Sequence, residues 1–264
     1  MTVPIVTADS ATKLPPEADG GVVVCGSHAA IYAAYLSAKA GARAALHNDA
    51  GIGREDAGIG GLDWAEAHGM AMAAVSCASA RIGDGADTLR RGVVSRANAL
   101  AAACGVVPGQ AAATAARLLQ AAPWPRSRPA PIAEGRSDTQ RIVCLDSFSM
   151  AGPGDRGRVI ASGSHGGVLA GQTAAAIEPA LALFNDAGFG IEQAGVAGLP
   201  ILDRAGIAGA TVSTLSARIG DGRSTLLDGQ LSEVNETAYR LGARPGRSAL
   251  EFALAVAEKL TGRR

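Results

Sequence analysis

Ser79-Ala80-Arg81-Ile82-Gly83-Asp84-Gly85 is written a second time as Ser216-Ala217-Arg218-Ile219-Gly220-Asp221-Gly222, 137 positions further on. Identity over small, charged and glycine residues at one fixed spacing is the signature of an internal repeat. The frame holds in both directions. Upstream, Asn48-Asp49-Ala50-Gly51 recurs as Asn185-Asp186-Ala187-Gly188, Gly26-Ser27-His28 as Gly163-Ser164-His165, and Asp9-Ser10 as Asp146-Ser147. Single matches keep the register between these blocks, among them Glu55 with Glu192, Gly58 with Gly195 and Leu62 with Leu199. Downstream, Thr88 pairs with Thr225, Asn98 with Asn235, and Pro108-Gly109 with Pro245-Gly246, with no gap required.

Within one copy the pattern alternates between strand and helix. The short β-branched runs Ile5–Ala8 and Val22–Cys25, and their counterparts Ile142–Leu145 and Val159–Ser162, are apolar throughout, as buried parallel strands are. An Ala-rich helix is expected over 29–40, and a third strand over 43–47 or 180–184. A helix follows over 62–67 or 199–205, then a fourth strand over 71–76 or 208–213. From Ser95 or Ser232 onward, two helices separated by 105–109 or 242–246 close each copy. The expected fold is α/β, a tandem duplication of a mostly parallel, helix-covered sheet unit, forming two lobes related by a pseudo-twofold. Residues 1–120 form the first repeat and 141–264 the second. The stretch 121–140, rich in Pro, Arg and Ser and without apolar period, reads as a linker.

Composition narrows the partners. With 264 residues the chain has enough apolar surface for a core without disulfides or structural metals. Formal charge is zero and the basic residues form no long run, so neither nucleic acid nor an anionic membrane is expected as a partner. No charged segment followed by a long apolar run opens the sequence, and no stretch approaches membrane-span length, so a cytoplasmic location is expected. The four cysteines form no Cys-x-x-Cys pair and read as small buried hydrophobes. No metal ligand spacing and no complete dinucleotide fingerprint are found, so no cofactor is expected. A homo-oligomer is the base-rate expectation for such a chain.

Three polar blocks of each copy fall at the carboxyl ends of expected strands, where parallel α/β sheets bind ligands. Read as a strand-to-helix turn, Gly163-Ser164-His165 followed by Gly166 and Gly167 offers backbone amides to an anion or a developing oxyanion. The second copy is the better candidate for chemistry, since the first has Ala29-Ala30 in place of the two glycines. The expected catalytic set is His165, Ser164, Asp186, His28 and Glu192. His165 and His28 are proton carriers, Ser164 a nucleophile, and Asp186 and Glu192 carboxylates for acid/base work. Gly163, Gly166, Gly167, Asn185, Ser147, Ser27, Asn48, Asp49, Arg218 and Arg81 are expected to bind substrate. Caps and turns account for Asn48-Asp49 and Asn185-Asp186 as well, and an internal ion pair for Arg81 with Asp84 or Arg218 with Asp221.

The expected function is that of an enzyme acting on a small carboxylated or amide-containing metabolite in a cleft between the lobes, by acid/base or Ser-assisted hydrolysis. The alternatives are a lyase or isomerase using the paired histidines, and a non-catalytic small-anion-binding protein. Duplicated α/β lobes with one catalytic cysteine each, as in the aspartate/glutamate racemase superfamily, are not matched. Cys25 corresponds to Ser162, and Cys144 to Thr7.

Overall fold

The computed structural model describes residues 3–125, 127–139 and 141–261. It is a mixed α/β structure with one five-stranded and one six-stranded sheet, both mostly parallel. The chain divides into two compact units. Unit 1 comprises Met1–Ile52, Asp56–Ile132 and the tripeptide Gly190–Glu192; unit 2 comprises Gly53–Glu55, Ala133–Phe189 and Gln193–Arg264.

Unit 1 runs β1 (Ile5–Ala8), β2 (Val22–His28), α1 (Ile31–Lys39), β3 (Ala44–Asn48), α2 (Gly61–Ala67), β4 (Ala71–Val75), α3 (Gly85–Arg91), β5 (Val94–Ala97), α4 (Ala99–Ala103) and α5 (Ala112–Leu119). Its strands lie in the order β1-β2-β3-β4-β5, with β1 to β4 parallel and β5 antiparallel to β4. Side chains of a strand alternate between faces. Val22 and Val24 therefore pack with Ala44, Leu46, Ala112, Ala115, Ala116 and Leu119 on one side. Val23 and Cys25 pack with Ala45, Met72, Ala33, Ala34, Leu62 and Ala65 on the other. The buried positions 112, 115, 116 and 119 of α5 are one helical stripe.

Unit 2 runs β6 (Arg136–Asp138), β7 (Ile142–Leu145), β8 (Val159–His165), α6 (Val168–Ile177), β9 (Leu181–Asn185), α7 (Leu199–Arg204), β10 (Ala208–Val212), α8 (Gly222–Leu227), β11 (Leu231–Val234), α9 (Glu236–Arg240) and α10 (Ala249–Thr261). The strand order is β11-β10-β9-β8-β7-β6, with antiparallel strands at both edges. From β7 onward the element order is that of unit 1. Helices α6 and α7 approach through two small residues: a Cβ on Gly171 would stand 2.6 Å from the Gly198 Cα.

Several elements lie outside the sequence expectation. Gly26-Ser27-His28 and Gly163-Ser164-His165 are not a turn into a helix. β2 and β8 continue through them with a register irregularity, and the helices start only at Ile31 and Val168. α3 and α8 form where no element was expected, because Asp84 and Asp221 cap them by accepting the Asp87 and Ser224 amides. β5 and β11 are short antiparallel strands where helix was expected. β6 lies in the stretch read as linker. It is a charged edge strand whose Arg136 pairs with Asp155 at 2.7 Å. No helix among the described residues is long and apolar enough to cross a membrane.

Candidate functional site

The polar blocks of unit 2 lie at the carboxyl ends of β7, β8, β9 and β10, and most of them are engaged by the backbone around them. Gly163 carries no side chain because nothing else fits. A Cβ there would lie 2.3 Å from the Asp221 amide nitrogen, and the Gly163 carbonyl accepts the Gly220 amide at 2.8 Å. Ser164 Oγ accepts the amide of Phe148 at 2.9 Å, tying β8 to the turn that follows β7. Ser147 caps that turn and shares a 2.7 Å hydrogen bond with Ser149. In unit 1, Gly26 stands 2.3 Å from the Asp84 amide by the same measure, and Ser27 Oγ accepts the Ala11 amide at 2.9 Å. The serines thus hold backbone turns, each with one lone pair of its Oγ committed to an amide.

Asn185 and Asp186 build the loop after β9. The buried Asn185 amide donates to the Ala217 carbonyl and its Oδ1 accepts the Ala187 amide, while Asp186 Oδ1 accepts from both Gly188 and Thr214 at 2.9 Å. Asn48 and Asp49 do the same with Ala80, Ala50, Gly51 and Cys77. These contacts hold an unusual backbone: Ala187, Phe189, Glu192 and Gln193 have φ between 50° and 60°, as Ala50, Ile52, Glu55 and Asp56 have φ between 50° and 65°. Each left-handed non-glycine residue costs about 1–3 kcal/mol. The loop therefore needs the Asn-Asp pair, which explains why that pair recurs. Burial, the largest influence on Asp186, raises its pKa despite the amides it accepts from Thr214 and Gly188.

The arginines and the glutamates are ion-paired. Within unit 1, Arg81 reaches Asp84 at 3.1 Å and Glu192 at 2.9 Å, and Arg91 reaches Glu192 at 2.7 Å. Within unit 2, Arg218 pairs with Asp221 at 2.9 Å and Glu55 at 3.1 Å. Glu192 is consequently grouped with unit 1 and not with His165, Ser164 and Asp186, although it follows them in the second repeat. Its pKa is lowered by hydrogen bonds from Arg91 and Arg81, which suits a fixed carboxylate better than a proton carrier.

The two recurring histidines differ. His165 is half-buried at the end of β8, and its Nδ1 accepts the Gly167 amide at 3.1 Å, which leaves the proton of the neutral ring on Nε2. Gly166 donates its amide to the Asn185 carbonyl, and a Cβ on it would meet Thr211 Cγ2 at 2.7 Å. The glycine pair thus lets the chain pass close to β10 as well as aiming one amide at His165. In unit 1, His28 is half-buried too, but its Nδ1 is enclosed without a hydrogen-bond partner, and desolvation lowers the ring from the ordinary 6.5 to about 4.

One carboxyl was missed in the sequence. Asp146, at the end of β7, accepts amides from Gly135 at 2.6 Å and Gly222 at 3.2 Å. Burial raises its pKa, with the neighbouring Asp221 adding to the effect, and Glu134 is raised by burial and by Asp146. The signal was present in the recurrence of Asp9-Ser10 as Asp146-Ser147, where only the serine was singled out. Among the described residues no group of three or more His, Cys, Asp or Glu could hold a metal ion. Comparison of the chain with protein-family models, with curated proteins and with solved structures finds no match.

Proposed function

We propose that the protein is an enzyme performing acid/base chemistry on a small carboxylated or amide-containing metabolite at the carboxyl edge of the unit 2 sheet, with His165 as the proton carrier. The observation that supports this reading is the imidazole of His165. It is half-buried, and one nitrogen is committed to the Gly167 amide, so a single tautomer is set for proton transfer through Nε2. Asp146, whose pKa is raised on the same edge, is the second acid/base group of this reading. The capping role of Ser164 favours acid/base hydrolysis over attack by its hydroxyl.

The test begins with thermal-shift screening of the whole protein against small carboxylates and amides, followed by product detection by proton NMR on each stabilising compound. His165→Ala is expected to lower turnover at least about 100-fold, with an unchanged circular dichroism spectrum, and Ser164→Ala to act mainly on stability. Full activity of His165→Ala on a turned-over compound overturns the reading. Equal loss in both variants restores the serine mechanism. Deuterium entering unconsumed substrate in heavy water identifies a lyase or isomerase instead.

A further inference from the structure

Unit 1 buries a polar cluster where unit 2 is apolar. His47 lies on β3 with no exposed surface, and its Nε2 is 2.9 Å from Ser37 Oγ of α1. Its Nδ1, like that of His28 at the end of β2, is a buried atom with no hydrogen-bond partner. The corresponding positions of unit 2 are Phe184 and Ala174, and Phe184 packs against Phe148 with ring centroids 5.2 Å apart. Phe148 in turn corresponds to Ala11.

Little around His47 would welcome a cation. From β2 it is met by His28, a second imidazole that disfavours its charge, and by the Ser27 and His28 peptide groups, which favour it. Cys25, its register partner on β2, is a buried thiol pushed up to about 11 and so uncharged; the carboxylate acting on that thiol is Asp9. Asp49, two residues along the chain, already accepts the Gly51 and Cys77 amides. From α1 comes the neutral Ser37 hydroxyl, and α2 and β4 contribute Leu62, Ala65, Met72 and Ala74 to the same side of the sheet.

We propose that unit 1 carries an acid-sensitive latch that unit 2 lacks: proton uptake by the buried His47, with the half-buried His28 beside it, opens the α1 face of the unit 1 sheet while unit 2 stays closed. Burial is the largest influence on both rings and holds them at about 4 instead of 6.5. An exposed ring takes its proton near 6.5, so the latch is fully closed above that pH and is progressively released as pH falls from 6.5 towards 4. One such ring multiplies the opening constant roughly 20-fold at pH 5 relative to pH 7, and the second adds to it. In unit 2, burial raises Asp146 and Asp186; these groups hold protons more tightly in the folded state and oppose acid opening.

Amide hydrogen exchange of the full chain tests this on matched strands, peptides covering Ala44–Asn48 against those covering Leu181–Asn185, after correction for the intrinsic pH dependence of exchange. Between pH 7.5 and 5 the β3 peptide is expected to lose at least about 20-fold in protection while β9 changes little. The double substitution Ser37→Ala, His47→Phe, which installs the unit 2 residues, is expected to remove most of that loss. Equal loss in β3 and β9 of the unmodified protein overturns the proposal, whether or not the double variant folds. So does a folded double variant with an undiminished pH response.

Discussion

Unit 1 puts Ala11, Ser37 and His47 where unit 2 puts Phe148, Ala174 and Phe184, and the exchange shows how one backbone plan accepts two kinds of interior. In unit 2 two phenyl rings pack at 5.2 Å, and the buried Thr211 beside Phe184 has its hydroxyl bonded to Ser232. In unit 1 an imidazole is buried with one nitrogen bonded to a serine and the other left over. A similar trade occurs beside His165. Gly166 and Thr211 stand where unit 1 has Ala29 and Ala74, so the methyl lost from one position is regained at the other. Compensation between neighbours keeps the sheet and helices in place, because close-packed interiors tolerate exchange of volume better than its loss.

The hardest way to break the comparison is at positions where the two units are identical. Gly163→Ala would put a methyl against three backbone atoms, the Asp221 nitrogen at 2.3 Å, the Gly220 carbon at 2.5 Å and the Asp146 oxygen at 2.7 Å. None of these can swing aside. A loss above about 4 kcal/mol is expected, or failure to accumulate folded protein. Gly26→Ala, against Asp84 and Gly83, should be equally severe. Chemical denaturation followed by circular dichroism reads both, and a loss under about 1 kcal/mol in either would show that the β2 or β8 loop can shift.

Next come positions where the units differ. Phe148→Ala removes a fully enclosed ring from the Phe148–Phe184 contact, with an expected cost of about 3–5 kcal/mol. The residue it creates is the one unit 1 carries naturally. If the cost falls below about 1 kcal/mol, the neighbouring side chains of unit 2 can collapse into the space, and the two interiors are less distinct than their side chains imply. Ser37→Ala is a smaller cut. It leaves His47 buried with neither nitrogen bonded, for about 1–3 kcal/mol at neutral pH by denaturant titration. The same substitution leaves any change in the unit 2 strands unexpected, which peptide-level hydrogen exchange checks.

The frame of the sheets was legible in the sequence because its central strands are buried on both faces and even the half-buried first strand is a short apolar run. Ile142–Leu145 and Ile5–Ala8 read as they stand, and the four parallel strands of each copy fall within one residue of the expected starts. The short elements were not. Val94–Ala97 and Leu231–Val234 pair antiparallel at an edge and are only partly buried, so their sequences carry no strand period strong enough to read. Arg136–Asp138 is a strand held by ion pairs with residues up to 20 positions away, which composition read as linker. The site residues divided by reach. That Asn185 and Asp186 turn back on Ala187 and Gly188 is local and was foreseen as an alternative. The Phe148 amide held by Ser164 is 16 residues away, and Arg81 is 111 residues from Glu192; neither pairing has a sequence signal.

The gentlest probe concerns α3 and α8. Asp87 is enclosed and contacts Arg90 at 2.7 Å, Arg91 at 2.8 Å and Arg81 at 3.3 Å, while the matching residue of unit 2 is Ser224, bonded to Asp228. Burial pushes Asp87 up, but the Arg81 amide and the Arg90 and Arg91 side chains outweigh it, leaving the carboxyl at about 2 against an ordinary 3.8. Its contribution is therefore complete above pH 3.8 and lost as pH falls towards 2, a window lying below that of the buried histidines. Arg90 is largely exposed and is one of three cations there, so Arg90→Ala should cost no more than about 0.5 kcal/mol at neutral pH. Its clearer effect is to raise the Asp87 pKa and narrow that acid window, read as a smaller difference between thermal midpoints at pH 4 and pH 2.5. An unchanged difference would mean that Arg81 and Arg91 alone hold the carboxylate, so that Arg90 is as dispensable to unit 1 as its exposed counterpart Leu227 looks in unit 2.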